Sequence, residues 1–489
     1  MIRIATVFSG IGAIEHAIKR MGLESKIVFA CDNGDVNIFS KKLKNKNLDS
    51  IRNEMNVLKD IFDEIDVTNN KYIQNINEIK EKYKNLCDEV NQIAVLSESH
   101  AKGVKKINEI CVQISMLFER IKTIQIHIEL DKLKTFSEKK KYIDNLYSDR
   151  KSQNRVKQSY MANYDIDEDH FHWNVSFLDG TQYYKKIDLF VGGSPCQSFS
   201  LVGKQRGLED TRGTLFYEYA RLVNQIKPKV FIYENVKAVM SNDSGRTWET
   251  IKKVFSDLDY DWFPSVLNSK DYGIPQNRER VFVVGFRKDL KLRKAFSFPD
   301  TISLKRKMQD FLVDNVSGKY YLPRKGVDFV TSEKNLTKRY TQIDGDVQLC
   351  QKKNQQFNWH GDFVFVEENT DMEKTMKDLE KYFLSEKVEK YVLSTGTKSF
   401  YSRPQTDLEV ARPLLTTMHK MHRAGVDNYV TTQGRLRKLT PKECLRLMGF
   451  CDSFKIVVSD TSMYQQAGNS IVVDVLIALM QKIIETYKF

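Results

Sequence analysis

Cys196 stands in the stretch GGSPCQSFS, directly after a short apolar run. The glycines and proline before it, and Gln-Ser after it, disfavour a helix and the interior of a strand. The thiol is therefore predicted on a loop at the end of a strand, which is a position suited to a nucleophile. The alternative is a buried thiol that packs as a small apolar side chain.

An acid and two arginines occupy similar positions further along the chain. Glu234 closes the apolar run FIYENV and is either a helix cap or a proton donor with a raised pKa. Arg278 and Arg280 stand two residues apart before a further apolar run, so strand alternation places both on one face. Such a pair could bind a carboxylate or a phosphate, although a solvated strand end has the same pattern.

A glycine turn and an acid near the N-terminus indicate a nucleoside-bearing cofactor. The stretch FSGIGA follows the first apolar run, and its glycines would let the backbone approach a ligand. The second run ends in Cys31-Asp32, and an acid at that place commonly binds the hydroxyls of a ribose. The turn has no third glycine and no phosphate-binding lysine, so the cofactor need not carry a pyrophosphate. Glycine turns of this kind also occur in unrelated α/β proteins.

Alternating strands and helices must position these residues. Compact β-branched and aromatic runs alternate with amphipathic stretches, among them RGTLFYEYARLVNQIKP and RTWETIKKVFSDLDYDW, which we expect to be helices. This pattern predicts an α/β fold with an open, doubly wound, parallel or mixed sheet and helices on both faces. Ligands bind beyond the carboxyl ends of the strands in such a sheet.

Residues 36–155 have a different rhythm, with Gly103 as their one glycine. Apolar residues recur there in alternating steps of four and three, the spacing of a coiled coil. The first run of this seam is Ile51, Met55, Leu58, Phe62, Ile65, Asn69, Tyr72, Ile76, Ile79, Tyr83, Leu86, Val90 and Ile93. A second run extends from Val104 to Ile121. The pattern predicts an antiparallel helical hairpin, or three helices if the chain breaks near Asn69.

Composition narrows the classes of protein. The 489 residues are 41% hydrophobic and carry a formal charge of +13, which favours a polyanionic partner without requiring one. The seven cysteines show no CxxC spacing, so neither a zinc site nor a disulfide framework is expected, and no metal is predicted. The N-terminus does not resemble a signal peptide, and no run of about 18 apolar residues occurs, so we expect a cytoplasmic protein without a membrane span.

Several stretches, in this order, resemble the DNA (cytosine-5) methyltransferase family. They are FSGIGA, CDNGD, GGSPCQSFSLVGKQRGLEDTRGTLFYEYARLV, ENVKAVM, LNSKDYGIPQNRERVFVVGFR, ARPLLTT and YQQAGNSIVVDVL. The resemblance covers roughly residues 2–35, 171–290 and 406–489. It implies a catalytic domain in three parts (1–35, 156–290 and 411–489), a helical insertion (36–155) and a small, irregular target-recognition domain (291–410).

The resemblance also implies the chemistry. Cys196 would attack carbon 6 of cytosine, which makes carbon 5 nucleophilic enough to take a methyl group. Glu234 would hold or protonate ring nitrogen 3, and a carboxyl that does so at neutral pH needs partial burial. Arg280 would contact the exocyclic oxygen of the base, with Arg278 on the DNA backbone or in support.

S-adenosyl-L-methionine is the implied cofactor. The positions that carry over to it are Phe8, Gly10, Gly12, Asp32, Asn174, Pro195, Asn469 and Ser470. Two residues depart from the family's pattern. Ala13 replaces a usual third glycine, and Asn174 replaces the usual aspartate near the adenine, where its amide oxygen can still accept a hydrogen bond.

Duplex DNA is the implied substrate. The target base must be flipped out of the helix, and a glycine-hinged basic loop after Cys196 would close on the DNA. The expected DNA contacts in that loop are Gln197, Ser200, Lys204, Arg206 and Arg212. The implied context is a bacterial or phage restriction-modification system acting on the nucleoid, and the insertion could dock a cognate restriction endonuclease or mediate self-association.

Two other functions stay open at this point. A small branch of the family methylates transfer RNA with the same cysteine and glutamate, although the size of residues 291–410 favours a reader of duplex DNA. A DNA-binding regulator with an inactive site is the non-enzymatic alternative, and the intact Cys196, Glu234 and Arg280 oppose it.

Overall fold

A seven-stranded sheet forms the centre of the computed structural model, with strand order β3-β2-β1-β4-β5-β7-β6. The structure describes residues 1–39, 48–65, 72–93, 101–194, 215–311, 320, 322, 324–353, 355–365, 396–397, 400–401, 437–438 and 441–489. Its strands are β1 Ile2–Val7, β2 Ser25–Cys31, β3 Phe171–His172, β4 Leu189–Gly192, β5 Val230–Val236, β6 Tyr260–Asn268, β7 Glu279–Arg287, β8 Thr341–Ile343, β9 Gly361–Val364, β10 Gly396–Thr397, β11 Phe400–Tyr401 and β12 Arg437–Lys438.

The helices of the described residues alternate with these strands. They are α1 Ala13–Arg20, α2 Leu48–Glu64, α3 Ile73–Ile93, α4 Ala101–Lys132, α5 Phe136–Leu146, α6 Arg155–Asn163, α7 Leu215–Ile226, α8 Arg246–Ser256, α9 Arg324–Val330, α10 Glu333–Thr337, α11 Gln355–Asn358, α12 Pro441–Arg446, α13 Asp460–Asn469 and α14 Val473–Thr486.

The sheet is buried on both faces. Its first five strands in spatial order are parallel, and β7 runs antiparallel to both β5 and β6. Alternate residues of β5 enter opposite cores: Ile232 packs with α1 and α14, whereas Phe231 and Tyr233 pack with α7 and α8. The predicted doubly wound α/β sheet with helices on both faces is confirmed.

Two strands of the large sheet, β3 and β6, were missed, and one helix was predicted too long. The stretch 246–262 was expected to be a helix throughout, but α8 ends at Ser256 and Tyr260 begins β6. The strand lies at the edge of the sheet and is only partly buried, so it lacks the continuous apolar run of a central strand. It also contains Pro264, which an edge strand tolerates because one side of its backbone needs no partner.

The described part of the insertion has four helices, α2 to α5, and α2, α3 and α4 pack together as three separate helices, the second of the two arrangements that the sequence left open. The side chain of Tyr83 on α3 donates a hydrogen bond to the Met55 carbonyl on α2 at 3.0 Å, and its ring packs against Phe62. The Tyr72 hydroxyl donates to Asp131 on α4 at 2.7 Å. Residues 66–71, where the chain passes from α2 to α3, lie outside the described residues. The seam residues Ile51 to Ile65, Tyr72 to Val90 and Ile107 to Ile121 are buried in the shared core of α2, α3 and α4, apart from the partly buried Tyr83 and Phe118.

The sequence assigns residues 291–410 to the smaller domain, and these bounds stay a prediction. Phe296, Met308 and Phe311 pack in the core of the large sheet. In the smaller sheet, β9 pairs with both β8 and β12.

Among the described residues, the segment Asp460–Thr486 is long and apolar enough, by length and composition alone, to cross a membrane. The structure divides it into α13 and α14, and the apolar residues of α14 pack against α1 and the sheet. Core packing accounts for its apolar character.

The packing of α2, α3 and α4 predicts that substitutions at two positions of α4 change the free energy of unfolding by very different amounts. Ile121→Ala should lower the free energy of unfolding by about 2–5 kcal/mol, because Ile121 is fully buried and its loss leaves a cavity. Val112 is 46% exposed on the same helix, so Val112→Ala should change that free energy by less than about 0.5 kcal/mol. Urea unfolding followed by circular dichroism measures both, and equal effects would contradict the packing of α4.

Candidate active site

The glycine turn after β1 has an unusual backbone. Phe8, Gly10 and Gly12 all have positive φ angles, of 53°, 54° and 75°. Phe8 lacks the conformational freedom of glycine, and holding it there costs about 1–3 kcal/mol. Among the described residues, a Cβ atom added to Gly10 would meet only the Phe8 carbonyl oxygen, at 4.0 Å, so that part of the structure leaves the space beside Gly10 open. Strained backbone around an open space is typical of a ligand site.

Gly12 is required for a different reason. A Cβ atom there would lie 2.2 Å from the ring of Tyr164, which follows α6. The Tyr164 hydroxyl donates to the Gly12 carbonyl oxygen at 2.7 Å. Ala13, the departure from the family's third glycine, is the first residue of α1 and is buried with an ordinary helical backbone. The alanine is therefore accommodated without strain.

Asp32 lies beside the turn, at the end of β2. Its carboxylate accepts the Gly10 N–H at 2.9 Å and the Gly34 N–H at 2.8 Å. Burial raises the pKa of Asp32, and these two hydrogen bonds partly offset the rise. Each oxygen keeps a further lone pair, so the carboxylate can also accept the two hydroxyls of a ribose. The open space at Gly10 and this acid fit the nucleoside half of S-adenosyl-L-methionine.

The remaining predicted cofactor residues come from two other segments. Asn174 follows β3, and its amide makes two contacts: Oδ1 accepts the Ser176 N–H at 3.0 Å, and Nδ2 donates to the Tyr147 hydroxyl at 3.1 Å. Asn469 is the exposed last residue of α13, and Ser470 is buried directly after it. The same helix contacts α6, where the Ser159 hydroxyl donates to Gln466 at 2.7 Å.

Glu234 and Arg280 meet at the ends of neighbouring antiparallel strands. Arg280 Nε lies 3.1 Å from Glu234 Oε1, and both side chains are largely buried. Burial raises the pKa of Glu234, and this effect outweighs the opposing charges of Arg280 and Arg278. Gly193 makes the arrangement possible, because a Cβ atom at that position would lie 2.6 Å from Glu234 Oε2. The pair can therefore hold a proton next to a fixed cation.

Arg278 takes a supporting position. Only 3% of the residue is exposed, and its guanidinium donates to three backbone carbonyls: Gln351 at 2.9 Å, and Gly468 and Ser470 at 3.0 Å each. It thus joins the start of β7 to two distant segments. Of the two roles considered for Arg278, this geometry favours support over contact with the DNA backbone.

Cys350 is a site residue that the sequence reasoning missed. Its Sγ atom lies 3.8 Å from Arg278 Nη1 and 4.0 Å from both terminal nitrogens of Arg280. Burial alone would raise the pKa of this thiol, but Arg278 and Arg280 outweigh burial and lower it. No pattern around residue 350 signals this, since the contact depends on how the smaller domain docks.

Pro195, Cys196 and the expected DNA contacts Gln197, Ser200, Lys204, Arg206 and Arg212 lie outside the described residues. The structure describes the chain on either side of them. Directly before Pro195 in the chain, the Ser194 and Tyr233 hydroxyls lie 2.8 Å apart, and Asn235 Nδ2 donates to the Ser194 hydroxyl at 3.2 Å. The segment that carries Cys196 therefore starts beside β5, the strand that carries Glu234.

Comparison with known proteins identifies the family. The model of the C-5 cytosine-specific DNA methylases matches residues 117–485. The chain belongs to this family. It is a DNA (cytosine-5)-methyltransferase, and S-adenosyl-L-methionine is its methyl donor. The resemblance seen in the sequence is confirmed.

Several known proteins are similar to the methylase. The methylase is 29% identical to the orphan methyltransferase M.SPRI of Bacillus phage SPR over 68% of its own length and 90% of that protein. It is 34% identical to the type II methyltransferase M.HhaI of Haemophilus parahaemolyticus over 59% of its own length and 73% of that protein. A solved structure of S. pombe Dnmt2 aligns with 99% of both chains at 14% identity and a TM-score of 0.48.

The support given by Arg278 can be tested in the methylase. Arg278→Lys should lower the free energy of unfolding by about 2–5 kcal/mol, because a compact ammonium cannot reach three carbonyls and leaves buried acceptors unpaired. Arg246 is an exposed arginine, so Arg246→Lys should change the same quantity by less than about 0.5 kcal/mol. Chemical denaturation decides this, and a stable Arg278→Lys variant would argue against a supporting role.

Proposed function

We propose that the methylase modifies carbon 5 of a cytosine rotated out of a specific duplex DNA sequence, through a covalent adduct between Cys196 and carbon 6. The observation that carries this proposal is the buried contact between Glu234 and Arg280. It lies beside the strand end from which the Pro-Cys-Gln segment continues. Two residues extend by no more than about 7 Å, so Cys196 stays close to Ser194.

The proposed reaction begins with the thiolate of Cys196. Its electron pair forms a bond to carbon 6, and the electrons of the 5,6 double bond shift into the ring. Glu234 gives a proton to nitrogen 3, so the adduct is a neutral enamine. The raised pKa of Glu234 suits it to carry this proton at neutral pH. Arg280 contacts the exocyclic oxygen and limits the build-up of negative charge.

Carbon 5 of the adduct then takes the methyl group, which bound S-adenosyl-L-methionine supplies in electrophilic form. The proton on carbon 5 leaves to solvent, its electrons restore the 5,6 double bond, and Cys196 departs as a thiolate. Glu234 recovers its proton from nitrogen 3. In this proposal Asp32 and the glycine turn hold the ribose and the methionine part of the cofactor, and Asn174 holds the adenine. Pro195 lies beside the methyl group, and Asn469 with Ser470 closes the pocket.

DNA binding completes the proposal. Rotating a base out of the duplex costs a few kcal/mol, which contacts from the protein must offset. We assign these contacts to the loop with Gln197, Ser200, Lys204, Arg206 and Arg212, and sequence reading to the smaller domain. The enzyme would act on DNA in the cytoplasm of a bacterium.

The insertion's partner is a separate question. A cognate endonuclease or a second copy could bind it, but most of the apolar seam that the structure describes is already buried within one chain. Self-association would therefore use the outer faces of α2, α3 and α4.

The covalent route predicts distinct losses for two substitutions. Cys196→Ser should abolish methyl transfer to DNA and also the trapping of protein on DNA that contains 5-fluorocytosine, where the fluorine blocks loss of the carbon-5 substituent. Glu234→Gln should lower turnover by about 10²- to 10⁴-fold, since the amide cannot donate the carboxyl proton. Cys451 is exposed, so Cys451→Ser is the matched control and should remain active. A Cys196→Ser variant that still forms the adduct would sink the mechanism.

The substrate assignment predicts methylation of duplex DNA at one short sequence. Transfer of a tritiated methyl group to duplex DNA and to transfer RNA compares the two substrates directly. Bisulfite sequencing of DNA from cells that express the methylase then gives the target sequence. Label confined to transfer RNA would favour the other branch of the family, and no transfer to either would favour an inactive DNA-binding protein.

A further inference from the structure

The Asn174 amide is held at both of its ends. Its oxygen accepts the Ser176 N–H at 3.0 Å, and its nitrogen donates to the Tyr147 hydroxyl at 3.1 Å. If the amide turned over, its NH₂ group would face the Ser176 N–H, and two donors would oppose each other. Ser176 thus decides which end is the oxygen, while Tyr147 satisfies the nitrogen and fixes the plane of the amide. The oxygen retains a second lone pair for another donor.

Tyr147 comes from the insertion. It follows α5 and is 1% exposed, and its ring stacks on Trp173 with centroids 4.8 Å apart and planes 8° apart. Both rings belong to a core shared by the insertion, through Ile126 and Ile143, and the catalytic domain, through Trp173 and Phe177. Burial raises the pKa of Tyr147 to about 12, so the hydroxyl keeps its proton at neutral pH. The hydroxyl is therefore held rigidly beside Asn174.

We propose that Tyr147 is a positioning residue for adenine recognition: it fixes the plane of the Asn174 amide, so that the oxygen that Ser176 selects faces the 6-amino group of the cofactor. An aspartate has two acceptor oxygens and depends less on the plane of its side chain. An asparagine has a single acceptor oxygen, so the plane of its amide decides whether that oxygen meets the amino group. The proposal rests on the adenine-binding role proposed above for Asn174, and it gives the insertion a function in cofactor selection.

The test compares two ligands of the full-length protein, S-adenosyl-L-homocysteine and S-inosyl-L-homocysteine, which carries an oxygen in place of the 6-amino group. Isothermal titration calorimetry gives both dissociation constants, and their ratio measures selectivity for the amine. Tyr147→Phe keeps the stacked ring and removes only the hydroxyl. It should lower selectivity for the amine by about 3- to 10-fold, the effect of one hydrogen bond. Tyr142→Phe removes a hydroxyl from α5, the helix that precedes Tyr147, and should leave the ratio of the two dissociation constants unchanged.

A second background separates positioning from packing. In Asn174→Asp, both side-chain oxygens are acceptors, so adding Tyr147→Phe should not change the ratio. A Tyr147→Phe variant that weakens both ligands equally, or loses only thermal stability, would show a structural role and overturn the proposal.

Asn174→Ala distinguishes failure of this proposal from failure of the cofactor assignment. If Asn174→Ala changes the ratio and Tyr147→Phe does not, the proposal alone is wrong. If Asn174→Ala leaves the ratio unchanged while the wild-type protein still methylates DNA, Asn174 does not contact the adenine. Both the assignment and the proposal then fall, whereas the proposed reaction stands.

Discussion

The buried guanidinium of Arg278 holds together the parts from which the active site is built. A buried cation is costly unless hydrogen bonds offset its loss of hydration, and the carbonyls of Gln351, Gly468 and Ser470 accept hydrogen bonds from both terminal nitrogens here. These carbonyls belong to the smaller domain and to the C-terminal end of α13 with the residue after it, both far from β7 in the sequence. Arg278 directly precedes β7 and Arg280 lies two residues further along, so the anchor at Arg278 also sets where Arg280 meets Glu234.

The catalytic sheet accommodates a long insertion because both ends of the insertion lie at one edge of the sheet. The chain leaves after β2 and returns at β3, which is the parallel neighbour of β2 at this edge. Asn154 Nδ2 donates to the Asp32 carbonyl at 2.9 Å, and Arg150 donates to the Asn37 carbonyl at 2.6 Å, so the base is closed by hydrogen bonds. The closure entropy of a loop rises slowly with its length, and the bundle fills its own core. A large insertion therefore disturbs the sheet little.

Sequence reasoning predicts the parts of this fold that have local signals. Central strands are apolar on both faces and were found, while the edge strand β6 is half exposed and was missed. The break near Asn69 was recognised as one of two arrangements, because polarity at a seam position does not itself specify a turn. Glu234 and Arg280 were predicted from their places at strand ends, and the structure brings them together. Cys350 and Tyr147 could not be predicted, since each reaches the site only through the docking of one domain on another.

A comparison of Asp188 and Glu234 shows that burial near an arginine does not by itself identify a carboxyl group that takes part in function. Asp188 begins the chain that enters β4, and its carboxylate receives the Arg3 N–H, two guanidinium contacts at 2.9 Å and the Lys229 ammonium at 2.9 Å. Burial would raise its pKa, but these partners lower it to about 2, so the group stays ionised and structural.

Glu234 has the opposite balance. Arg280 Nε lies 3.1 Å from its carboxylate, and burial outweighs the nearby charges, so its pKa is raised. A carboxyl with fewer stabilising partners than its burial requires retains affinity for a proton. Gly193 preserves this state, since any side chain at that position would collide with the carboxyl or displace it from Arg280. The capacity proposed for Glu234 to donate a proton thus arises because the nearby charges stabilise its ionised form less than burial destabilises it.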